Sequence, residues 1–184
     1  MHRTIGFSGS LRVGSYNSAL LRAAAELSPA EHPVEIASIR EIPLYDGDLE
    51  TAGMPASVLA LQERIADADG LLFVTPEYNH GVPGVLKNAI DWLSRGPRSI
   101  QKTSPGKPVA LMGASTGPRG TALAQQAWFA SLRNLSLSTY GERPMFVGNA
   151  GEVFVDGELA DPATRERLER FMTGFASFVE RLRA

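Results

Sequence analysis

The stretch from Gly70 to Arg95, GLLFVTPEYNHGVPGVLKNAIDWLSR, limits what this chain can fold into more than any other. Leu71, Leu72, Phe73 and Val74 form a short apolar run of strand length, of the kind buried on both faces of a parallel sheet. Thr75 to Pro83 is rich in turn-forming residues, and Pro83 then opens a helix, where its missing N–H is not needed. Along that helix Val85, Leu86, Ala89, Ile90 and Leu93 recur at helical spacing. A strand, a loop and a helix in succession place the loop at the carboxyl end of a strand, where open α/β sheets bind ligands.

The rest of the chain repeats the pattern. Arg3–Phe7 is an expected first strand and is followed by a helix entered at Asn17 or Ser18. Val34–Ile39 alternates as a second strand, Pro43–Glu50 is an expected loop, and Ala56–Ala68 is helical. Pro97–Pro108 is an expected surface connection, and Val109–Met112 a fourth strand leading into GASTGPRGT. Ala122–Leu135 is helical, after which Ser136–Thr139 and Pro144–Val147 compete for a fifth strand. Ala163–Leu182 closes the chain as an amphipathic helix with Leu168, Phe171, Met172, Phe175, Phe178 and Val179 inward. About five alternations predict an α/β fold, a parallel sheet with helices on both faces. With 184 residues and no linker or repeat, residues 1–184 are expected to form one domain.

Composition excludes several function classes. There is no cysteine, which rules out disulfides, thiolate nucleophiles and Cys-based metal sites. No metal site is expected, and a net charge of −2 gives no reason to expect nucleic acid. No run of roughly 18 apolar residues suggests a membrane span. The N-terminus is too short and polar for a signal peptide, so a soluble cytoplasmic protein is expected.

Three post-strand loops carry the polar groups. In GSLRVGSYN (Gly9–Asn17), Ser10, Ser15 and Asn17 offer short hydrogen-bonding groups and Arg12 a fixed positive charge, beside the positive end of a helix. Together these make a phosphate cradle. A plain helix N-cap uses the same Ser and Asn, but the arginine among hydroxyls favours phosphate. No GK[ST] follows, so this is not a P-loop, and Lys107 precedes a strand and cannot serve as its lysine. Gly6, Gly9 and Gly14 also lack the spacing of a dinucleotide fingerprint. In PEYNHG (Pro76–Gly81), Tyr78 offers a flat face, and Asn79, His80 and Gly81 offer donors that suit a planar heteroaromatic ring. A rigid turn with a packed tyrosine is the alternative. In ASTGPRGT (Ala114–Thr121), Ser115, Thr116 and Gly117 can donate at a strand end, as in any βα turn.

With these loops in view the chain resembles the NAD(P)H-dependent FMN reductases, flavodoxin-like proteins that include quinone, chromate and azo-dye reductases. GSLRVGSYN, PLYDGDLE, TPEYNHGVPGVLKNAIDWLSR and GKPVALMGASTGPRG carry the resemblance, over roughly residues 3–148. It implies a flavodoxin-like three-layer sandwich with a five-stranded parallel sheet. It implies FMN phosphate binding by Ser10, Arg12, Ser15, Tyr16 and Asn17. It assigns the flavin ring to Pro76, Glu77, Tyr78, Asn79 and Gly81, and further ring or ribityl contacts to Ser115, Thr116 and Gly117. NADPH or NADH is the implied reductant, and quinones, free flavin, chromate or azo compounds are the implied acceptors. A homodimer or homotetramer is implied as well, and Trp92 is a candidate interface aromatic, although burial in the core is the more usual place for a tryptophan.

The flavin would carry the hard chemistry, so no side chain is named as acid or base. A flavodoxin-like electron carrier without NAD(P)H activity is the alternative reading. A hydrolase is disfavoured, because only His80 among His2, His32 and His80 lies on a site loop and no GxSxG elbow is present.

Overall fold

The computed structural model describes residues 1–183. The chain runs β1 (Thr4–Ser8), α1 (Tyr16–Glu26), β2 (Val34–Ile36), α2 (Gly47–Ala52), α3 (Ala56–Ala66), β3 (Gly70–Val74) and α4 (Gly84–Leu93). It continues with α5 (Ile100–Thr103), β4 (Pro108–Ala114), α6 (Ala122–Asn134), β5 (Ser138–Thr139), β6 (Met145–Val147), α7 (Ala150–Val153), β7 (Phe154–Val155), β8 (Glu158–Leu159) and α8 (Pro162–Arg183). The main sheet has the order β2-β1-β3-β4-β5, and all its pairings are parallel.

The wholly apolar central strands are explained by their two covered faces. Leu72, Val74, Ala110 and Met112 pack against Leu20 and Leu21 of α1 and Phe171 and Phe175 of α8. The alternate residues Leu71, Phe73, Val109 and Leu111 join Ile5 and Phe7 against α3, α4 and α6, where Ile65, Leu86, Trp128 and Leu132 are buried. Each such side chain contributes about 1.5–3 kcal/mol on burial, so the period-2 alternation of β3 and β4 secures both helical layers at once. The closing helix buries Leu168, Phe171, Met172, Phe175 and Val179 as its periodicity predicts, while Phe178 is half-buried against the Tyr140 ring.

Several expectations change. The fifth strand position is shared by both competing segments. β5 pairs with β4 at Pro108 and Val109, and β6 pairs with the same strand at Met112 to Ala114. The sheet therefore has six strands in five positions. The expected loop at 43–50 contains α2, whose N-cap Asp46 accepts a hydrogen bond from the Asp48 N–H at 2.8 Å. Glu50 fastens it: the Tyr45 hydroxyl and Arg95 both donate to its carboxylate and hold it below the ordinary glutamate range. The 97–108 connection is not wholly superficial, since Ser99, Ile100, Ser104 and Lys107 are buried. Lys107 caps the end of α3 by donating to the Ile65, Ala66 and Ala68 carbonyls, and burial lowers its ammonium to about 8. Pro83 is the N-cap of α4 and not its first helical residue. Trp92 is fully buried, with its indole N–H donating to the Pro43 carbonyl at 2.9 Å, so it forms no surface for a partner.

Candidate functional site

The parallel strands deliver the loops after β1, β3 and β4 to one edge of the sheet. The first loop leaves β1 through Gly9, whose N–H still donates to Val74 of β3 at 2.8 Å. A Cβ on Gly9 would lie 2.9 Å from both Leu86 and Pro76, so only glycine lets this loop press against the next one. Ser15 is the N-cap of α1 and accepts from the Ser18 N–H at 3.2 Å. The N–H groups of Tyr16 and Asn17 open the helix and have no intrahelical acceptor, and the first turn holds no acidic residue. Arg12 is exposed, with its guanidinium 5.5 Å from the Tyr16 ring centre. Ser10 is buried at the loop base.

Asn17 has a different task from the one its motif implies. Its side chain is buried, donating to the Ala114 carbonyl and accepting from the Ala114 N–H, both at 2.9 Å. Its amide thus clamps α1 to the end of β4, leaving only its backbone N–H for a ligand.

The second loop is closed on itself. Tyr78 and Gly81 exchange backbone hydrogen bonds of 3.2 and 2.9 Å around Asn79 and His80. Both of these residues have positive φ, 50° and 61°, as a type I′ turn requires. Tyr78 is 51% exposed and carries its ring outward, so it is not the packed tyrosine of a rigid turn. Pro76 is buried. Glu77 also departs from the motif's implication: its Oε2 accepts from the Leu123 and Ala124 N–H groups at 2.9 and 3.0 Å, capping α6. Its Oε1 lies 3.3 Å from His80 Nδ1. One carboxylate therefore ties the turn to a helix 46 residues further on.

The third loop is held from the far side by the segment after β6. Ser115 donates its N–H to Val147 and accepts from the Ala150 N–H, while the Asn149 N–H donates to Gly117. The Gly117 N–H donates to Ser115 Oγ at 3.2 Å, and Thr116 is exposed. Between the second and third loops lies a cavity of about 520 Å³, bounded by Glu77, Asn79, His80, Ser115, Gly117 and Arg119, among others. A separate cavity of about 410 Å³ takes Ser10 and Arg12 of the first loop. Ser15, Tyr16, Asn17, Pro76, Tyr78, Gly81 and Thr116 line neither. His80 and Arg119 also line the ring-sized cavity; His80 is among the donors the PEYNHG loop offers although the family resemblance does not assign it, and Arg119 is signalled only by its position in the third loop.

FMN asks for a dianion site at one end and space for a flat ring at the other. The Tyr16 and Asn17 N–H groups, which have no backbone acceptor among the described residues, the Ser10 and Ser15 hydroxyls and the Arg12 guanidinium supply the first. The cavity at the ends of β3 and β4 supplies the second. The residues fit the group.

A parallel sheet with this strand order and polar loops gathered at its β1/β3 switch point defines a flavodoxin-like, nucleotide-binding α/β protein. The comparisons then give the family. The chain belongs to the NADPH-dependent FMN reductases, whose family model matches residues 2–152. It is 42% identical to an NAD(P)H-dependent FMN reductase of Pseudomonas aeruginosa over 182 residues, covering 98% of this chain and 97% of that one. It is 42% identical to a quinone reductase of Escherichia coli K12 over 180 residues, covering 95% and 94%. The solved structure of FerB, a flavoenzyme NAD(P)H:(acceptor) oxidoreductase from Paracoccus denitrificans, superposes with a TM-score of 0.88 at 32% identity and 98% coverage of each chain. The chain is accordingly an enzyme that works with FMN and NAD(P)H. Among the described residues no helix is long and apolar enough to cross a membrane.

Proposed function

We propose that the chain, acting as one domain, passes electrons from NAD(P)H to quinones through FMN laid along the carboxyl edge of the sheet. The observation that carries this reading is the juxtaposition of an acid-free α1 N-terminus with a ring-sized cavity one strand away. The quinone reductase at 42% identity supports the choice of acceptor.

FMN, when bound, supplies a two-electron carrier that accepts from a nicotinamide and gives to an acceptor. The protein's part is to hold and orient it. Ser10, Arg12, Ser15 and the backbone N–H groups of Tyr16 and Asn17 take the phosphate. Asn79 bounds one side of the ring site and Ser115 and Gly117 the other, while Pro76, Tyr78, Gly81 and Thr116, in the same loops but outside the cavity wall, are assigned to the ring by the family motif alone. Glu77 keeps this turn in place through α6. The turn leaves the Asn79 and His80 N–H groups without a backbone acceptor among the described residues, so they can serve ring carbonyls. The cavity is open to solvent-borne acceptors, and free flavin, chromate and azo compounds are included as further ones. The reading places the enzyme in the cytoplasm as a homodimer or homotetramer.

The test is direct. Purified protein is expected to be yellow, with a bound oxidised-flavin spectrum, and to oxidise NAD(P)H when 1,4-benzoquinone is added. In a side-by-side series quinone should outpace free FMN, chromate and an azo dye. Bound flavin without NAD(P)H oxidation by any acceptor would make the chain an electron carrier; absence of flavin affinity would sink the site assignment.

A further inference from the structure

The cavity of about 410 Å³ beside the first loop contains more positive charge than one phosphate needs. It opens at the carboxyl ends of β1 and β2 and is lined by Arg12, Arg22 and Arg40 together with Ser10, Ser18 and Ser38. No acidic side chain lines it. Elsewhere Arg3, Arg64, Arg95, Arg98, Arg165, Arg170, Arg181 and Arg183 each meet a carboxylate, whereas Arg119, Arg133, Arg143 and Arg167 stand apart from this cavity and meet none among the described residues. Arg12, Arg22 and Arg40 meet none among the described residues. Two of them are fixed by backbone carbonyls. Arg22 donates to Gly157 at 2.9 Å, and Arg40 donates to Leu11 of the first loop. Each bond involves one terminal nitrogen and leaves the other donors of the fork free. Uncompensated guanidinium groups held in position among hydroxyls are a phosphomonoester receptor in chemical terms.

FMN has a single phosphomonoester, and its better cradle is elsewhere. The unpaired N–H groups of Tyr16 and Asn17 and the Ser15 cap lie outside this cavity, on the α1 side of the same loop. A second phosphomonoester enters the proposed reaction only on NADPH, at the 2′ position of its adenosine. The distance also fits. β2 stands three strand positions from β4, about 14 Å at about 4.8 Å per strand, a span that an extended dinucleotide bridges.

We propose that the cavity lined by Arg12, Arg22, Arg40 and Ser38 receives the 2′-phosphate of NADPH and makes the chain prefer NADPH over NADH. This rests on the reductase reading above. Arg12 stands at the shared wall between the FMN phosphate and this cavity, whereas Arg22, Ser38 and Arg40 serve the nucleotide alone.

Calorimetry on the FMN-loaded protein tests it without turnover. Adenosine 2′,5′-bisphosphate should bind about tenfold or more tightly than 5′-AMP, the effect of roughly one charge-assisted contact. Arg22→Gln and Arg40→Gln should each remove most of that difference and raise KM for NADPH about tenfold, with KM for NADH and FMN content unchanged. Arg40 also steadies Leu11, so Arg22→Gln, whose side chain hydrogen-bonds Gly157 and not the first loop, is the control for a loop disturbance. Equal binding of the two nucleotides by the unaltered protein would overturn the proposal. So would loss of FMN in Arg22→Gln, which would assign the cavity to the flavin phosphate. A binding preference without any NADPH oxidation would keep this site and sink the reductase reading instead.

Discussion

The first and second loops sit side by side at the same sheet edge and treat their polar groups in opposite ways. In the first, the Arg12 guanidinium is exposed and, among the described residues, meets no carboxylate, and the leading N–H groups of α1 have no backbone acceptor. In the second, Tyr78 and Gly81 satisfy each other, and Glu77 is saturated by α6 and His80. One loop is therefore built to bind charge and the other to keep a shape. Removing the exposed Arg12 side chain from the first should cost ligand affinity, and removing the Glu77 carboxylate from the second, structure.

Glu77→Ala should have the largest effect. Two helix N–H groups lose a charged acceptor, each such bond being worth about 1.5–3 kcal/mol, so urea unfolding should show a loss of about 3 kcal/mol. Stability within about 0.5 kcal/mol of the unaltered protein would erase the contrast between the loops. Asn17→Ala sharpens it from the other side: this residue of the binding loop behaves structurally, and stranding the Ala114 N–H and carbonyl should cost about 2–3 kcal/mol of stability. Arg12→Ala should weaken FMN by about 2 kcal/mol, near 30-fold in Kd, with an unchanged unfolding midpoint for the apoprotein. A shifted midpoint with normal affinity would reverse the assignment. Tyr78→Ala should weaken FMN by about 1 kcal/mol and alter the bound flavin spectrum, leaving stability intact because its ring is exposed. His80→Ala is expected to do least: its side chain is 75% exposed, and stability should stay within about 0.5 kcal/mol and quinone turnover within about twofold.

The same contrast explains what could be read from the residues. The strands and long helices follow from local apolar periodicity, and the three loops from their place after strands. The motifs present Asn17 and Glu77 only as ligand contacts because motifs are local, while the hydrogen-bond partners of their side chains lie 97 and 46 residues away. Spacing along a chain does not reveal a bond of that range. The competition between 136–139 and 144–147 has no local answer either, since both segments win different halves of one strand. The β7–β8 hairpin has a local signal. Asp156 and Gly157 both have positive φ, and Asp-Gly between Phe154-Val155 and Glu158-Leu159 is a recognised hairpin signal. The strands it joins have only two residues each, too few for any alternation to mark them. The helix α2 likewise had its signals, an Asp46 cap and Gly53 at the far end, in a segment too short for periodicity to register.

The divided far edge of the sheet bears on how copies of this chain can meet. A bare strand edge is a template on which another chain can add its own strand. Here one border is β2, three residues long, and the other is broken into β5 and β6, two and three residues with a turn between them. Neither border offers a continuous ladder of backbone groups. Strand addition at either border of the main sheet would therefore find only two or three residues of ladder to build on.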